Sequence, residues 1–216
     1  MEKNTLTAFR FIGIVLVCSL FIISLPAHPP LSAETEESLQ AGMLNAEHYK
    51  PLIVCYSRTG TSRIVADALV EYLSGTIEAI QSTKNRDGFL GVLTCVLDQL
   101  LERDDILKPL DKDPKNYDPV IIVAPIWIGK LSSPARTFIK QAGLQGKDIY
   151  LFLTYNGSLT EDKEKALADT ITAQEITLKG LYKIITKEQT ADEIRKELHN
   201  QLEEKPLLTK KQVSSP

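Results

Sequence analysis

The sequence has 216 residues, of which 43% are hydrophobic and 25% are charged. This composition is typical of globular proteins and excludes a wholly disordered or collagen-like chain. The formal net charge of −3 disfavours a general nucleic-acid binder, because such proteins usually carry a basic excess. Three cysteines and three histidines are too few for a disulfide scaffold or a zinc cluster.

Residues 1–33 have the composition of an export signal or a membrane anchor. Residues 11–25 contain no charge, and two basic residues precede them. A basic start, a short apolar run and a small residue such as Ala33 for cleavage are typical of a cleavable secretory signal. The alternatives are an uncleaved anchor, with residues 7–27 associated with the membrane, and a buried core helix. Both leading interpretations predict an exported chain that is periplasmic or otherwise extracytoplasmic, either released or anchored in the inner membrane.

The remaining sequence divides into a linker, one domain and a tail. Residues 34–48 are polar and acidic, residues 206–216 lack periodicity, and residues 49–205 carry the pattern of a folded domain. A domain of that length can bury an adequate core. We interpret its two cysteines, Cys55 and Cys95, as buried small residues, and a disulfide between them is the alternative that the sequence leaves open.

Apolar runs and helical periodicity alternate through the domain. The pattern predicts five strands, at 51–56, 76–81, 119–124 and 148–154 and within 175–185. It also predicts a helix after each strand, and the first two run through 64–73 and 90–101. The third helix has Ser133 as its N-cap and Pro134 in its first turn, the fourth runs from Thr160 to Ile171, and the last follows a Thr190/Glu193 capping box. This alternation predicts an α/β domain whose doubly wound sheet has five parallel strands and helices on both faces. Ligands of such sheets bind beside the carboxyl ends of the strands, which draws attention to the loops after strands one, three and four.

The loop after the first strand has the composition of a phosphate-binding turn. It joins the strand directly to a helix and consists of Ser57, Arg58, Thr59, Gly60, Thr61 and Ser62. Hydroxyls and free N–H groups at a helix N-terminus donate to phosphates, and glycine permits close approach. The loop lacks the motifs of a P-loop and of a dinucleotide-binding turn. An ordinary turn with a Ser/Thr cap is the structural alternative.

Two further loops add aromatic and polar groups at the same end of the predicted sheet. The loop after the third strand contains the single tryptophan of the sequence and includes Pro125, Ile126, Trp127, Ile128 and Gly129. The loop after the fourth strand includes Thr154, Tyr155, Asn156 and Gly157. A planar ligand could stack on Trp127, while core packing of the indole and a simple Asn-Gly turn are the alternatives. Together the loops predict a site for a flat phosphorylated ligand such as FMN.

Four segments resemble parts of the flavodoxin family. Residues 52–69 are similar to its FMN-phosphate segment, residues 117–139 to the strand, flavin-contacting loop and helix around its third strand, and residues 146–158 to its fourth strand and flavin loop. Residues 87–105 are similar to a helix that a flavodoxin-like subgroup carries between strands two and three. The resemblance implies a flavodoxin-like fold and noncovalent FMN held by the three loops. The sequence departs from the family pattern at Arg58, Ile128 and Asn156.

The resemblance implies an electron carrier that exchanges electrons with a redox partner protein or a small-molecule acceptor. An FMN-dependent NAD(P)H:quinone-type reductase and a flavodoxin-like binding module that has lost FMN are the alternatives. The sequence shows no catalytic triad, paired-carboxylate site or metal-ligand cluster, so whether the protein is an enzyme stays open. His199 is expected to lie on the surface of the last helix.

Overall fold

A computed structural model describes residues 50–157 and 159–207. The predicted signal or anchor at 1–33, the linker at 34–48 and all but the start of the tail lie outside the described residues. Six strands form one sheet: β1 (Leu52–Cys55), β2 (Thr76–Ala79), β3 (Val120–Trp127), β4 (Lys130–Leu131), β5 (Asp148–Tyr155) and β6 (Thr177–Ile185). The parallel strands lie in the order β2-β1-β3-β5-β6, while the short β4 pairs antiparallel with the end of β3. With β4 set aside, this is the flavodoxin-like order 2-1-3-4-5, and the predicted fold class is confirmed.

In the part of the chain that the structure describes, five α-helices connect or follow the strands: α1 (Thr61–Leu73), α2 (Gly88–Leu100), α3 (Ser133–Gln141), α4 (Glu161–Thr172) and α5 (Ala191–Glu204). The N-cap of α3 is Ser132, so the prediction of Ser133 is wrong by one residue, while Pro134 lies in the first turn as predicted. His199 is exposed, as predicted. Within the described residues, no helix has both the length and the apolar character needed to cross a membrane.

The core has two halves because neighbouring strand residues point to opposite faces of the sheet. Ile53 packs with residues of α1 and α5, such as Val65 and Leu198. Val54 packs on the other face with residues of α3 and α4. Leu207, at the start of the predicted tail, is also buried and extends the first cluster.

Both cysteines of the domain are free and buried, so the prediction of buried small residues is confirmed. The alternative of a disulfide is wrong for this structure. Burial raises the pKa of the Cys55 thiol to about 12, although nearby Arg63 opposes the shift. Cys55 therefore stays a neutral thiol that fills space in the core.

Helix α2 buries polar side chains and exposes apolar ones. Its buried residues are Gly91, Cys95, Asp98 and Gln99, and its exposed large side chains are Phe89, Leu90, Val92, Leu93, Leu97 and Leu100. The sequence pattern correctly predicts the helix. The leucine-rich face of α2 points away from the core, because the surface beneath the helix presents a buried arginine and backbone carbonyls that need polar partners.

The predicted capping box of α5 is present. The Thr190 side chain accepts a hydrogen bond from the Glu193 N–H, and the Glu193 carboxylate accepts one from the Thr190 N–H at 2.7 Å. We expect Thr190→Ala to lower the free energy of unfolding by about 1 kcal/mol, measured by urea denaturation. Thr160→Ala is the matched control, because Thr160 is the N-cap of α4 without a side-chain cap bond. Equal losses in the two variants would contradict a stabilising role for the box.

Candidate functional site

The residues of the three predicted loops lie at the carboxyl edge of the parallel strands. The prediction of loops is wrong for part of them, because residues 125–127 belong to β3, and Thr154 and Tyr155 to β5. Two side-chain contacts join the three segments. The Tyr56 ring, directly after β1, meets the Trp127 ring edge-on, with centroids 5.6 Å apart and planes at 78°. The hydroxyl oxygens of Ser62 and Thr154 lie 2.7 Å apart, within hydrogen-bond distance. The loop after β1 therefore contacts the ends of both β3 and β5.

The loop after β1 presents an open helix N-terminus. Gly60 is the N-cap of α1, its φ is 90°, and no side chain caps the helix. The first turn contains no acidic residue, and a Cβ placed on Gly60 would meet no atom within 4 Å. The Thr59 and Thr61 hydroxyls stand 3.3 Å apart beside it. Free N–H groups and hydroxyls at a positive helix end are suited to an anion.

The buried hydroxyl of Ser57 is the feature of this loop that most clearly indicates a ligand site. Its Oγ is buried, and no described residue forms a hydrogen bond with it. A buried hydroxyl without a partner costs roughly 1–3 kcal/mol, so such atoms are rare unless they serve a ligand or water. Arg58 follows as a half-buried cation. The loop can therefore offer an additional donor and a positive charge to a bound anion.

The loop after β3 is a tight hairpin that the sequence did not predict. Trp127 pairs with Lys130 across Ile128 and Gly129, whose φ values are 51° and 74°. Two left-handed residues define the turn geometry that best suits two-residue hairpins. A β-branched residue in this region is strained by about 1–3 kcal/mol, and Ile128 is an unusual choice for the turn. That choice explains why no hairpin was predicted from the sequence.

Gln99 of α2 holds this hairpin in place. Its buried side-chain N–H₂ donates to the carbonyl oxygens of Trp127, Lys130 and Leu131, at 3.2, 3.3 and 2.9 Å. Its side-chain oxygen accepts a hydrogen bond from Arg136 at 2.9 Å. Gln99 was not predicted as a functional residue, although a glutamine among leucines was an available signal in the sequence. Its contacts supply the tertiary support that a strained turn requires.

Arg86 lies behind Trp127 and was also missed by the sequence analysis. It is 5% exposed, and its guanidinium carbon lies 5.7 Å from the centroid of the Trp127 ring. Its Nη2 donates to Asp98 at 2.8 Å and to Asp105 at 2.6 Å. Burial alone would lower the pKa of Arg86, but hydrogen bonds to Cys95, Asp105 and Asp98 raise it overall. The cation is therefore permanently charged beneath the aromatic pair.

The carboxylate network keeps this buried charge neutralised. Burial acts to raise the pKa of Asp98, but hydrogen bonds from Lys84 and Arg86 hold it below its usual value. Burial raises the pKa of Tyr56 well above its usual range, so its phenol is neutral at physiological pH. The arrangement provides a polar but charge-balanced support behind Trp127.

The remaining predicted residues lie at the same edge. Pro125, Ile126 and Tyr155 are half-buried, while Asn156 and Gly157 are exposed. Asn156 is oriented by the Thr186 hydroxyl, which donates to its Oδ1 at 2.7 Å. The Ser62 and Thr154 hydroxyls are engaged with each other, which gives them a structural role. The binding roles of these residues stay predictions.

Within residues 50–157 and 159–207, no group of three or more His, Cys, Asp or Glu side chains is placed to hold a metal ion.

The strand order and the converging loops define a flavodoxin-like α/β protein. No family model matches the sequence, and no curated protein sequence matches it. Among solved structures, the chain is similar to a flavoprotein from Lactobacillus acidophilus NCFM in complex with FMN, with 21% identity and a TM-score of 0.54 over 62% of this chain and 93% of that one.

Two further solved structures have the same fold. A candidate flavoprotein from Bacteroides uniformis has 20% identity and a TM-score of 0.58 over 68% of this chain and 96% of that one. The apo-form of the Lactobacillus acidophilus flavoprotein has 18% identity and a TM-score of 0.51 over 68% of this chain and 97% of that one. At these identities, the likeness establishes the fold alone.

Proposed function

We propose that the protein is an FMN-binding, flavodoxin-like electron carrier that acts outside the cytoplasm. The observation that carries FMN binding is the buried Ser57 hydroxyl, which lacks a described partner beside the uncapped N-terminus of α1. The FMN complex of the similar Lactobacillus acidophilus flavoprotein supports this choice of ligand. The extracytoplasmic location rests on the apolar residues 11–25.

The residues present fit a phosphate and a flat ring system. Ser57, Thr59 and Thr61 would donate hydroxyl hydrogen bonds to the phosphate, while the open space at Gly60 lets it approach the α1 N–H groups. Trp127 offers an apolar, half-exposed ring at the same edge. When bound, FMN supplies the redox chemistry. The chain's own part is to bind, orient and shield the cofactor.

The carrier function is tested by electron delivery from the purified full-length protein. The protein is loaded with FMN, reduced chemically without oxygen, freed of reductant and mixed with oxidised cytochrome c. We expect acceptor reduction in proportion to the bound FMN. An FMN-loaded protein that reduces no acceptor would contradict the carrier proposal while leaving cofactor binding intact.

Phosphate recognition by the loop after β1 leads to a specific prediction for Thr59→Ala. The substitution removes a hydroxyl beside the open helix N-terminus, and hydrogen bonds to charged groups contribute about 1.5–3 kcal/mol. We expect FMN affinity to fall by about tenfold or more, and riboflavin affinity to change by less than about twofold. Calorimetric titration of flavin-free protein measures both affinities.

Thr177→Ala is the matched control, because this exposed threonine begins β6 at the opposite edge of the sheet. It should bind both ligands normally. Equal losses of FMN and riboflavin affinity in Thr59→Ala would contradict a phosphate-reading role.

A cavity favours a second candidate function, an FMN-dependent NAD(P)H:quinone-type reductase. The cavity measures about 500 Å³ and opens beside the β3–β4 hairpin between α3 and α4. Its floor is apolar, and its cationic lining residues are Lys130, Arg136, Lys140 and Lys163. The Nε of Arg136 is buried without a hydrogen-bond partner among the described residues. Glu102 also lines the cavity and pairs with Lys130, while Arg136 and Lys140 pair with Asp104. Lys163 is therefore the lining cation without an ion pair among the described residues, and it is suited to an anionic group attached to an apolar body.

Steady-state NADPH oxidation with a soluble quinone tests the reductase. The reductase predicts sustained turnover that declines in Lys163→Ala, since Lys163 lies against Gly129 at the cavity entrance. Lys196→Ala, at an exposed position on α5, is the control. An FMN-loaded protein without NADPH turnover would exclude the reductase and leave the carrier.

A further inference from the structure

We propose that the exposed side of α2 docks on the surface of a phospholipid bilayer. The α2 apolar face consists of Phe89, Leu90, Val92, Leu93, Leu97, Leu100, Leu101 and Ile106. This interaction surface goes beyond the proposed function and does not depend on a bound cofactor.

The α2 apolar face is contiguous and unusually exposed. Phe89 is 81% exposed and Leu90 is 75% exposed, and positions 89, 93, 97 and 100 follow the spacing of one helix face. Ile106, which lies six residues after the end of the helix, is 66% exposed. Single exposed apolar residues are ordinary, but contiguous patches mark sites of interaction with a protein or a membrane.

The helix cannot hide this face by rolling. Its opposite side is tied down by the ion pairs of Asp98 with Arg86 and Lys84 and by the three hydrogen bonds from Gln99 to the hairpin. Rotation is opposed because it would leave these buried charges and carbonyls unpaired. The apolar face is therefore held outward by the same contacts that support the candidate site.

The chain before the described domain favours a membrane as the occupant. Residues 11–25 form an uncharged apolar run, and 24 residues separate it from Lys50. Lys50 pairs with Asp118 before β1 and β3 begin, at the opposite edge of the sheet from the hairpin that α2 supports. A connection of 24 residues spans at most about 80 Å, whereas a domain of this size is roughly 40 Å across. One bilayer can therefore accommodate both apolar features.

The charges beside α2 are compatible with lipid headgroups. The Glu102 and Asp104 carboxylates, just after the helix, are paired with Lys130 and Lys140. Arg103 lies exposed between them, and Asp87 is the exposed carboxylate at the helix start. Binding should therefore depend mainly on burial of the apolar face, as for helices that lie in the membrane interface.

Docking would place the candidate site beside the membrane, because Gln99 joins α2 to the Trp127 hairpin. Apolar electron acceptors dissolve in this environment. This consequence rests on the proposed function, whereas the docking itself does not.

The test uses an indole reporter in the full-length chain. Leu93→Trp is made in a Trp127→Phe background, so that the introduced indole is the single tryptophan, and the protein is reconstituted into phosphatidylcholine vesicles with or without brominated acyl chains. Bromine quenches indoles that reach the acyl region. We expect the emission to fall at least about twofold in brominated vesicles. Phe89→Trp in the same background is a second reporter and should respond in the same way.

Tyr72→Trp in the same background is the control, since this α1 residue is 53% exposed and lies outside the α2 apolar face. Its emission should not change, even when the chain is tethered to the vesicle. Unquenched α2 reporters in a chain that sediments as a dimer would overturn the proposal in favour of a second copy. Unquenched reporters in a monomer would also overturn it.

Discussion

Replacing Arg86 with methionine is expected to lower the free energy of unfolding by about 3–5 kcal/mol, because it leaves the buried Asp105 carboxylate without its cation and Asp98 with Lys84 alone. Asp98 and Asp105 both accept hydrogen bonds from this guanidinium, and Asp105 is fully buried at its side chain. The methionine keeps much of the side-chain volume while removing the charge. Denaturation with guanidinium chloride at pH 7, followed by circular dichroism, measures the loss.

The pH dependence of this loss has a definite sign. In the wild-type protein the pKa of Asp98 is lowered. Its stabilising contribution is therefore fully present above the ordinary carboxyl pKa of about 4 and disappears as the pH falls through the lowered value. In Arg86→Met, protonation of Asp98, which keeps Lys84 but loses Arg86, relieves part of the penalty. The difference between the two proteins should be largest near pH 7 and should shrink as the pH falls below about 4.

Arg63→Met is the matched control for Arg86→Met. Arg63 forms an ion pair with Asp67 at 2.6 Å, but both side chains are about half exposed. Exposed ion pairs contribute at most about 1 kcal/mol to the free energy of unfolding, so this variant should lose little stability. A similarly small loss in Arg86→Met would show that the buried network contributes far less than its geometry implies.

Trp127→Ala is expected to weaken FMN binding by about 1–3 kcal/mol, or roughly fivefold to 150-fold, through lost area and stacking. The indole is half-exposed at the candidate site and held edge-on by Tyr56. The affinity is measured by calorimetric titration of flavin-free protein, and Trp127→Phe should recover part of the loss. Tyr72→Ala, on α1, serves as a control for removal of an exposed aromatic ring. Unchanged affinity in Trp127→Ala would mean that the indole only packs against the protein.

The sheet and its helices were predictable because buried parallel strands leave continuous apolar runs in the sequence, as in residues 119–124. The convergence of the three loops followed from topology, since the carboxyl ends of parallel strands share one edge. These features depend on local pattern and on general rules of chain connection. They needed no knowledge of individual side-chain contacts.

The side-chain contacts that support the candidate site were not predictable, because they depend on tertiary structure rather than on local sequence pattern. Periodicity showed that α2 is a helix, but not which face packs inward, because that depends on the polar surface beneath it. The hydrogen-bond partners of Arg86 and Gln99 lie 9 to 47 positions away in the sequence. The Ile128–Gly129 turn departs from the residue preferences of its type and is held by Gln99. Tertiary contacts therefore stabilise a turn conformation that its own residues disfavour.

FMN binding with the phosphate in the loop after β1 can be followed through the emission of Trp127, the single tryptophan of the chain. Flavin-free full-length protein is titrated with FMN and, separately, with riboflavin, and the titrations are repeated with Ser57→Ala. We predict saturable quenching at one FMN per chain, clearly weaker binding of riboflavin, and a Ser57→Ala variant that loses affinity for FMN but not for riboflavin. A protein whose emission does not respond to FMN and whose visible spectrum gains no bound flavin would contradict the account.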